Sequence, residues 1–483
     1  MELPKWVLKH KKKGTEVRYF NGRYYLYRIS SRWDPEKKRA RKITEKFLGR
    51  ITEDGLIKPR HERMKDIIRN VSVKEFGATA FLLEACGDIV DALKREYPAE
   101  WKRLFAFSAF RLMHRSPMKN MLAHYSSSYL SETLGGAALS PKAVSGLLRE
   151  IGKDRERMKL FMSGFVAGTK FAVIDTTHVF SLSEGIITAV TGHNSRGECV
   201  PQTRLLLVHS LDRHMPAYFR MMQGDITDVT AVPLTVKEAG IENAVLIGDK
   251  GFYSNGNVKV LEESGINYVL PVSRTNSLAD YSPFVSSDRT HLDGHFFFEN
   301  RVIWYHARKL EKRKVIIYLD PKLKAEEERD FMLRVDNKKG KLDEFGKKQH
   351  MLGTITVVTD CQESPEYVFG LLKRRVEVEF AFNAFKNVIN ADRTYMRDDF
   401  QLGGWMFLNF VSLMMYYRIY GLLLENGLLK RYSPRDVILH LSRVFMLNIG
   451  GEWVLSEVPK KPRVILEKMR LGDILRKNGG VKV

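Results

Sequence analysis

The sequence predicts an α/β protein that carries additional helical and β-rich regions. Between residues 171 and 249, short apolar runs are separated by Gly, Asn and Ser turns, and a helical pattern precedes the last run. The pattern resumes with GTITVVTD at 353–360, and another helix follows. The chain has 483 residues, 44% hydrophobic and 28% charged, so we expect roughly two to four folded units.

The charge balance predicts a polyanionic partner. Lys and Arg number 79 against 57 Asp and Glu, which gives a net charge of +22. Such an excess repels itself, and a polyanion relieves the repulsion. Nucleic acid is the first candidate and an anionic membrane surface the second. Cys86, Cys199 and Cys361 are far apart in the sequence, so we expect no disulfide framework or structural zinc, and a reducing cytosol fits.

One apolar stretch bears on the membrane alternative. WMFLNFVSLMMYYRIYGLLL, 405–424, has about the length of a membrane span, but Asn409 and Arg418 interrupt it. We therefore predict a buried core helix and no membrane partner. The amino terminus also lacks the apolar core of a signal peptide.

The first 72 residues predict a small basic β unit. Asn21-Gly22 separates two aromatic-rich runs, which is a strong hairpin signal, and Asp34-Pro35 predicts a second turn. An unusual number of basic side chains in this unit fit contacts with a nucleic-acid backbone, although a merely soluble surface is the alternative. They are Lys11, Lys12, Lys13, Arg18, Arg23, Arg32, Lys37, Lys38, Arg39 and Arg41.

Five further regions follow from the change of pattern along the chain. Helical spacing begins near residue 73, and Ser140-Pro141 is typical of a helix start. The predicted regions are a helical and DNA-binding region at 73–168, a core at 169–265, a β-rich insertion at 266–350, the rest of the core at 351–400, and a helical carboxyl-terminal region at 401–483.

Two core runs end in aspartate. KFAVID ends in Asp175 and VLIGD ends in Asp249. Adjacent strands of an α/β sheet bring such carboxylates together at one edge, where they repel each other unless a cation neutralises them. Hard oxygen ligands favour Mg²⁺ or Mn²⁺ over zinc. A helix cap or a turn is the alternative for each, and it is the preferred interpretation of Asp320 and Asp360, which end similar runs.

A third acid is expected on a helix that faces this edge. Ser364 and Pro365 predict the start of a helix that runs to about 391. Arg375, Glu379 and Lys386 share one face of it, whereas Glu377 points about 200° away from Glu379. The two cations suit phosphate contacts, with a solvated ion-paired face as the alternative.

These residues and spacings resemble the DDE transposases of bacterial and archaeal insertion sequences. Arg375, Glu379 and Lys386 match the Tyr-x₂-Arg-x₃-Glu-x₆-Lys signature of the fourth-numbered insertion-sequence superfamily, but Leu372 stands at the tyrosine position. The interval from Asp249 to Glu379 also fits, because that superfamily has an RNase H-like fold with a β-rich insertion there. The resemblance covers nearly the whole chain.

The resemblance implies a metal-dependent transposase. Asp175, Asp249 and Glu379 would be the catalytic residues and the ligands of two Mg²⁺ ions, which Mn²⁺ can replace. The implied partners are double-stranded DNA, as terminal inverted repeats and target, and a second copy in a dimeric synaptic complex. The implied location is the cytoplasm of a prokaryote, at the nucleoid. An RNase H-like nuclease without strand transfer and a domesticated DNA-binding descendant are the alternatives.

Two further side chains are candidates for DNA contacts. Lys250 follows Asp249 directly and can reach a phosphate, or it can be an ordinary surface lysine. Trp304 lies in the insertion and can stack on an unpaired base, with a core position as the alternative. Lys250 and Trp304 are therefore DNA-binding candidates in addition to Arg375 and Lys386.

Overall fold

The computed structural model describes residues 3–69, 71–191, 200–226 and 228–477. The strands, in chain order, are β1 Thr15–Phe20, β2 Arg23–Asp34, β3 Arg39–Thr52, β4 Gly55–Ile57, β5 Ser72–Glu75, β6 Phe171–Ser181, β7 Val190–Thr191, β8 Pro201–Ser210, β9 Met215–Gln223, β10 Val245–Ile247, β11 Asn267–Val272, β12 Gly294–Phe298, β13 Arg301–Leu310, β14 Arg313–Leu319, β15 Thr354–Thr359, β16 Arg393–Thr394, β17 Phe445–Ile449 and β18 Glu452–Leu455.

The α-helices, in the same order, are α1 Lys5–Leu8, α2 Arg60–Arg69, α3 Gly77–Ala85, α4 Gly87–Glu96, α5 Trp101–His114, α6 Met121–Ser127, α7 Leu130–Leu134, α8 Pro141–Lys153, α9 Arg155–Val166, α10 Asp228–Ala239, α11 Asn255–Glu263, α12 Pro321–Asp336, α13 Leu342–Lys348, α14 Pro365–Lys373, α15 Val376–Asn383, α16 Asp399–Glu425, α17 Pro434–Leu441, α18 Lys460–Lys468 and α19 Ile474–Lys477.

The chain divides into two compact units. The first comprises Met1–Lys74, Phe445–Glu457 and Leu475–Val483, and the second comprises Glu75–Val444 and Val458–Ile474. The first unit contains an antiparallel sheet in the order β1-β2-β3-β4 and a three-stranded sheet in the order β18-β17-β5. The predicted hairpin is confirmed, because Asn21 and Gly22 turn the chain with φ of 46° and 73°.

The second unit begins with the helices α3 to α9. Helix α8 buries one amphipathic face, whereas α5 is buried on all sides from Leu104 to Leu112. Ser140 caps α8 by accepting a hydrogen bond from the Ala143 N–H at 3.3 Å. The sequence predicts both this helical region and the start of α8 at Ser140-Pro141. This unit also holds the free thiols of Cys86 and Cys361, which are buried; Cys199 lies outside the described residues.

A large mixed sheet forms the centre of the second unit. Its main path is β12-β13-β14-β15-β11-β10-β6-β8-β7, with β9 paired to β8 and β16 paired to β6. β10 runs parallel to both β6 and β11, whereas β8 is antiparallel to β6 and to β9. The predicted α/β class is therefore confirmed. Asp175 lies on β6 in the middle of this sheet, and Asp249 follows the neighbouring strand β10.

The insertion is part of the same sheet. The family resemblance implies an RNase H-like core, a mixed five-stranded sheet with helices, interrupted by a β-rich insertion. In the structure Lys314–Leu319 of β14 pair with β15, so β12, β13 and β14 extend the core sheet at one edge. The charged stretch after Asp320 forms α12. The sheet accordingly has 11 strands.

Helix α16 forms the apolar core beside this sheet. By length and composition it could cross a membrane, but 67% of its most apolar stretch is buried inside the protein. Asn409, one of the two interruptions noted in the sequence, is completely buried and accepts a hydrogen bond from Arg111 at 3.1 Å. The prediction of a buried core helix is confirmed by this burial.

Three details differ from the sequence-based prediction. GIITAVTG, 185–192, reads as a strand, but only Val190–Thr191 pairs, because the N–H groups of Ile187 and Thr188 donate to Asp399 instead. Strand β9 was not predicted. The carboxyl-terminal region was expected to be wholly helical, yet β17 and β18 form a hairpin within it.

Candidate active site

Asp175 lies within β6, not at its end as the sequence predicts, and Asp249 follows the end of the neighbouring parallel strand β10. Ile247 of β10 pairs with Val173 of β6, and each aspartate comes two residues after its member of this pair. Since adjacent strands are about 4.8 Å apart, the two segments that carry the aspartates leave this pair close together. The carboxylate of Asp249 does not cap the short 3₁₀-helix that follows it. The capping alternative for Asp249 therefore does not apply.

Glu379 is carried by a helix that packs across this sheet. Ser364 caps α14 through the Tyr367 N–H at 3.2 Å, as the sequence predicts. The predicted continuous helix is wrong in detail, because α14 ends at Lys373, α15 begins at Val376, and Ala384–Val388 form a π-helical turn. π-turns within helices are frequent at functional sites.

Arg375 joins two of the three acids. Its guanidinium donates to Asp175 Oδ2 at 3.2 Å and to Glu379 Oε1 at 2.5 Å. The side chains of Arg375 and Asp175 are 25% and 18% exposed, while that of Glu379 is 48% exposed. A partly buried cation thus lies between two carboxylates that come from distant parts of the sequence. The sequence indicated the Arg375–Glu379 pair but gave no signal for the contact with Asp175.

The remaining predicted residues have different positions. Lys386 is half-buried in the π-turn, and Lys250 is exposed at the start of the 3₁₀-helix after Asp249. Trp304 lies in β13 and packs partly buried against an apolar cluster of the insertion, with the Arg289 guanidinium 5.7 Å from its ring centre. The core interpretation of Trp304 therefore describes much of its surface, and its contact with DNA stays a prediction.

The other strand-end aspartates have structural roles. Asp320 is buried, caps α12 through the Lys322 N–H at 3.0 Å and pairs with Arg301. Asp360 accepts a hydrogen bond from the Tyr268 N–H at 2.8 Å, and burial raises the pKa of its carboxyl. Both positions agree with the expectation that these residues shape turns and loops.

Glu377, two residues before Glu379, belongs to a different network. It pairs with Arg374 at 2.9 Å and with His214 at 3.4 Å. Burial favours a raised pKa for Glu377, but the nearby His209 and Arg374 lower it below its usual range. Glu377 thus contacts Arg374 and His214, and it takes no part in the contacts of Arg375 with Asp175 and Glu379. This agrees with the prediction that Glu377 and Glu379 point in opposite directions from the helix.

The donor types at the site fit a hard divalent cation. Asp175, Asp249 and Glu379 offer only carboxylate oxygens, which Mg²⁺ and Mn²⁺ prefer. Among the residues that the structure describes, no three His, Cys, Asp or Glu side chains are gathered closely enough to form a metal site. The positive charge between Asp175 and Glu379 is instead the guanidinium of Arg375.

Comparison with known proteins identifies the family. The transposase DDE domain model matches residues 169–415, which span the strands and the helix that carry the three acids. This is 247 of 483 residues, more than half of the chain. The chain belongs to the DDE transposases. A comparison with curated proteins finds no match.

Two solved transposase structures are similar to this transposase at low identity. The cryo-EM structure of a piggyBac transposase synaptic complex with hairpin DNA is 12% identical, covers 71% of this chain and 70% of its own, and has a TM-score of 0.41. The Mos1 transposase paired-end complex with the left transposon end is 10% identical, covers 37% and 56%, and has a TM-score of 0.15. At these values neither likeness bears on the site.

The family match also decides the class of function. The transposase is an enzyme that cleaves DNA and transfers strands, and this activity is favoured over a nuclease without strand transfer or a DNA-binding descendant. Divalent metal dependence and DNA partners accompany this domain. The residues that carry out the chemistry are inferred from the geometry above.

Proposed function

We propose that this transposase moves a prokaryotic insertion sequence by cut-and-paste transposition. In this proposal it excises the element at its terminal inverted repeats and joins the freed ends to target DNA. Asp175, Asp249 and Glu379 are the catalytic acids, and the protein acts as a dimer at the nucleoid in the cytoplasm. The match of Arg375, Glu379 and Lys386 to the insertion-sequence signature supports the finer assignment.

The arrangement of five strands supports an RNase H-like core for this function. The neighbouring strands β9, β8, β6, β10 and β11 combine two antiparallel and two parallel pairings. Asp175 lies on the central strand of the five, and Asp249 follows the next one. In open α/β sheets, active sites form where the direction of the connections changes. The pair β6 and β10 is such a place.

Asp175, Asp249 and Glu379 would hold two Mg²⁺ ions, which, once bound, activate the attacking oxygen and stabilise the leaving one. The three carboxylates supply the negative charge that such a site needs. The partial burial of Asp175 strengthens the attraction between its carboxylate and a cation. In this proposal Lys386 and Lys250 contact phosphates close to the reacting one. Each such cation stabilises charge that develops on the non-bridging oxygens.

The two steps balance without a covalent enzyme intermediate. In cleavage, a water oxygen bonds to phosphorus and the bond from phosphorus to the 3′ oxygen breaks. The attacking water gives one proton to solvent, and the leaving 3′ oxygen takes one from solvent to form the 3′-OH. In transfer, that 3′-OH bonds to a target phosphorus, and the target's own 3′ oxygen leaves with a proton. Both steps are in-line displacements at phosphorus, so one set of acids can serve both.

One observation carries the proposal: Asp175 and Glu379 share the guanidinium of Arg375, and Asp249 follows the strand β10 that pairs in parallel with the strand of Asp175. The test compares Asp249→Asn with Asp360→Asn, because both aspartates follow a strand but only Asp249 belongs to the site. Cleavage is measured on DNA taken from both sides of the gene, with Mg²⁺ or Mn²⁺. Asp249→Asn should lower cleavage by at least about a thousandfold, as loss of one transition-state contact allows, while Asp360→Asn retains it.

The same preparations distinguish the alternative nuclease function. A pre-cut end with a free 3′-OH is incubated with supercoiled plasmid, and joined product is counted. Wild-type protein should yield joined product, and Asp249→Asn should yield none. Cleavage without any joining would assign the nuclease activity alone. Cleavage by Asp249→Asn would remove this residue from the site.

A further inference from the structure

The hairpin of β2 and β3 extends beyond the other strands of its sheet. β1 pairs with β2 only as far as Arg28, and β4 pairs with β3 only over Arg50–Thr52. Among the described strands, Ser30–Asp34 and Arg39–Ile43 pair with each other alone. These two segments and the turn between them, Ser30–Ile43, are named here the basic arm. Five residue pairs of a two-stranded ribbon project roughly 16 Å.

The basic arm is strongly cationic. It carries six Lys or Arg side chains, all exposed, against two acids, Asp34 and Glu36. Asp34 has a local role, because it accepts hydrogen bonds from the Glu36 N–H and the Lys37 N–H, both at 3.2 Å. So many charges of one sign on a short segment repel one another, and a polyanion relieves the repulsion.

The two faces of the basic arm differ in how their cations are balanced. Neighbouring residues of a strand point to opposite faces of the ribbon. On one face, Lys42 forms an ion pair with Glu16, which Arg18 also contacts, at 2.8 Å. On the other face, Arg32 and Arg41 lie directly opposite each other. Within the part of the chain that the structure describes, neither arginine forms an ion pair.

The opposition of Arg32 and Arg41 indicates a binding face. Like charges directly opposite each other destabilise a pair of strands, so this arrangement does not serve the folding of the arm. Asp34 and Arg39 form the next pair on the same face and add one charge of each sign. The face therefore keeps an excess of two positive charges, held at fixed positions on two paired strands. Its arginines are available to a partner that carries negative charge or hydrogen-bond acceptors.

The shape of the basic arm fits the major groove of duplex DNA. That groove is about 12 Å wide and about 8.5 Å deep, and it admits a two-stranded β-ribbon. The commonest specific contact there is made by an arginine that donates to N7 and O6 of guanine. DNA partners accompany the transposase domain of this chain. A membrane is a poorer partner, because Trp33 is the one exposed large apolar side chain that the arm offers it.

We infer that the basic arm enters the major groove of duplex DNA, where Arg32 and Arg41 read guanine. The lysines of the turn between β2 and β3 contact phosphates, which position the arm without reading the sequence. The face that carries Lys42 and Trp33 points away from the bases. The arm thus determines which DNA sequence the enzyme binds. That this sequence belongs to the ends of the mobile element rests on the proposed function, whereas the contact itself does not.

The test combines changes in the protein with changes in the DNA, in EDTA so that no cleavage occurs. Wild-type protein first selects its preferred sequence from a pool of random duplexes. Fluorescence anisotropy then compares that duplex with copies in which single guanines are replaced by 7-deazaguanine, which lacks the N7 acceptor of the major groove. At one or two positions the replacement should weaken binding about fivefold or more. The double variant Arg32→Gln with Arg41→Gln should bind the original and the replaced duplexes equally.

Matched controls come from the same arm. Lys42→Gln removes a charge from the opposite face and Trp33→Ser removes its aromatic ring, and both variants should keep the effect of 7-deazaguanine. Lys37→Gln with Lys38→Gln should weaken binding to all the duplexes alike and reduce the slope of log K against log salt by up to about 1.8. These side chains are all exposed, so circular dichroism should show the same folding and melting as in the wild type.

Other outcomes would overturn the inference. If wild-type protein binds every 7-deazaguanine duplex as tightly as the original, the arm does not read guanine in the major groove. The same follows if the effect persists in the double arginine variant. Loss of the effect in Trp33→Ser would assign the contact to the opposite face, and binding to anionic lipid vesicles that Trp33→Ser abolishes would assign the arm to a membrane. Because no readout needs divalent metal, a failure of the catalytic assignment of Asp175, Asp249 and Glu379 would leave these results unchanged.

Discussion

Arg375 contacts Asp175 at 3.2 Å although 200 positions separate the two residues in the sequence. The same guanidinium pairs with Glu379 at 2.5 Å. Arg375 therefore pairs with two of the three proposed metal ligands and offsets part of their negative charge. The positive charge of the side chain occupies the place between the carboxylates that a bound cation would need.

This relationship predicts opposite effects of Arg375→Ala on stability and on metal binding. Without metal, the variant should lose about 1 kcal/mol of unfolding free energy, because two partly buried carboxylates lose their shared cation. Mn²⁺ should bind more tightly, because it no longer competes with the guanidinium. Thermal unfolding in EDTA and calorimetric titration with Mn²⁺ measure the two effects. Weaker Mn²⁺ binding in the variant would show that Arg375 is not a competitor.

Glu379 and Glu377 provide a matched pair on one helix. Glu379→Gln should lower the cleavage rate by at least about a thousandfold. The melting temperature should stay nearly unchanged, because the Glu379 side chain is 48% exposed. Glu377→Gln should retain cleavage but lower stability, because it loses its ion pair with Arg374 and weakens its contact with His214. Cleavage of end DNA and calorimetric melting are measured on both. Similar losses of activity would remove the distinction between the two acids.

Arg111 predicts a structural requirement at the end of the catalytic helix. Its buried guanidinium donates to the carbonyl oxygens of Ile389 at 2.7 Å and Asn390 at 3.2 Å, just after the π-turn that carries Lys386. Arg111→Met removes both hydrogen bonds of a buried guanidinium and should cost about 3 kcal/mol or more. Urea unfolding measures the loss. Arg95→Met, at an exposed position, should change stability by less than about 0.5 kcal/mol.

Glu75 predicts an unusual pH dependence. Burial raises the pKa of its carboxyl from 4.5 to about 7, against the effect of hydrogen bonds from the Ala78 N–H and the Thr79 hydroxyl. Above 4.5 the unfolded chain loses this proton while the folded chain keeps it, so this contribution to stability falls as pH rises to about 7 and is constant above. Glu75→Gln should remove this decline from melting temperatures measured across the range. Parallel curves for the two proteins would contradict it.

The basic amino-terminal unit predicts strongly salt-dependent DNA binding. The turn between β2 and β3 exposes Lys37, Lys38 and Arg39, and each phosphate contact contributes about 0.9 to the slope of log K against log salt. Replacing all three by Gln should reduce that slope by up to about 2.7. Lys259→Gln is the control, because this exposed lysine already lies near Glu263. A slope that does not change would assign DNA binding to other surfaces.

Strand ends and helix caps carried most of the information about the site. Asp175 and Asp249 follow apolar runs whose parallel pairing could be anticipated, and Ser364 marks the start of the helix that leads to Glu379. No Gly or Pro lies at the break between α14 and α15 after Lys373, so the sequence did not indicate that the helix is interrupted there. The π-turn at Ala384–Val388 depends on packing of the helix, so local propensity could not indicate it.

Pairings between distant segments were the part that sequence patterns missed. β9 contains Pro216, which is tolerated because the pairing with β8 has an irregularity between Val208 and His209. β17 and β18 are short; β17 pairs with the distant strand β5, and β18 pairs with β17 in a hairpin. The exposure of Tyr395 was also not predicted, because it is set by the fold and not by the neighbouring residues in the sequence.

The pairing of β5 with β17 has a consequence for synthesis. These strands end and begin about 370 residues apart, at Glu75 and Phe445, and both are needed for the three-stranded sheet. At about 5–20 residues per second, a ribosome takes roughly 20–75 s to make the intervening chain. Strand β5 is therefore made long before β17, and the two can pair only after the large sheet that contains Asp175 has left the ribosome.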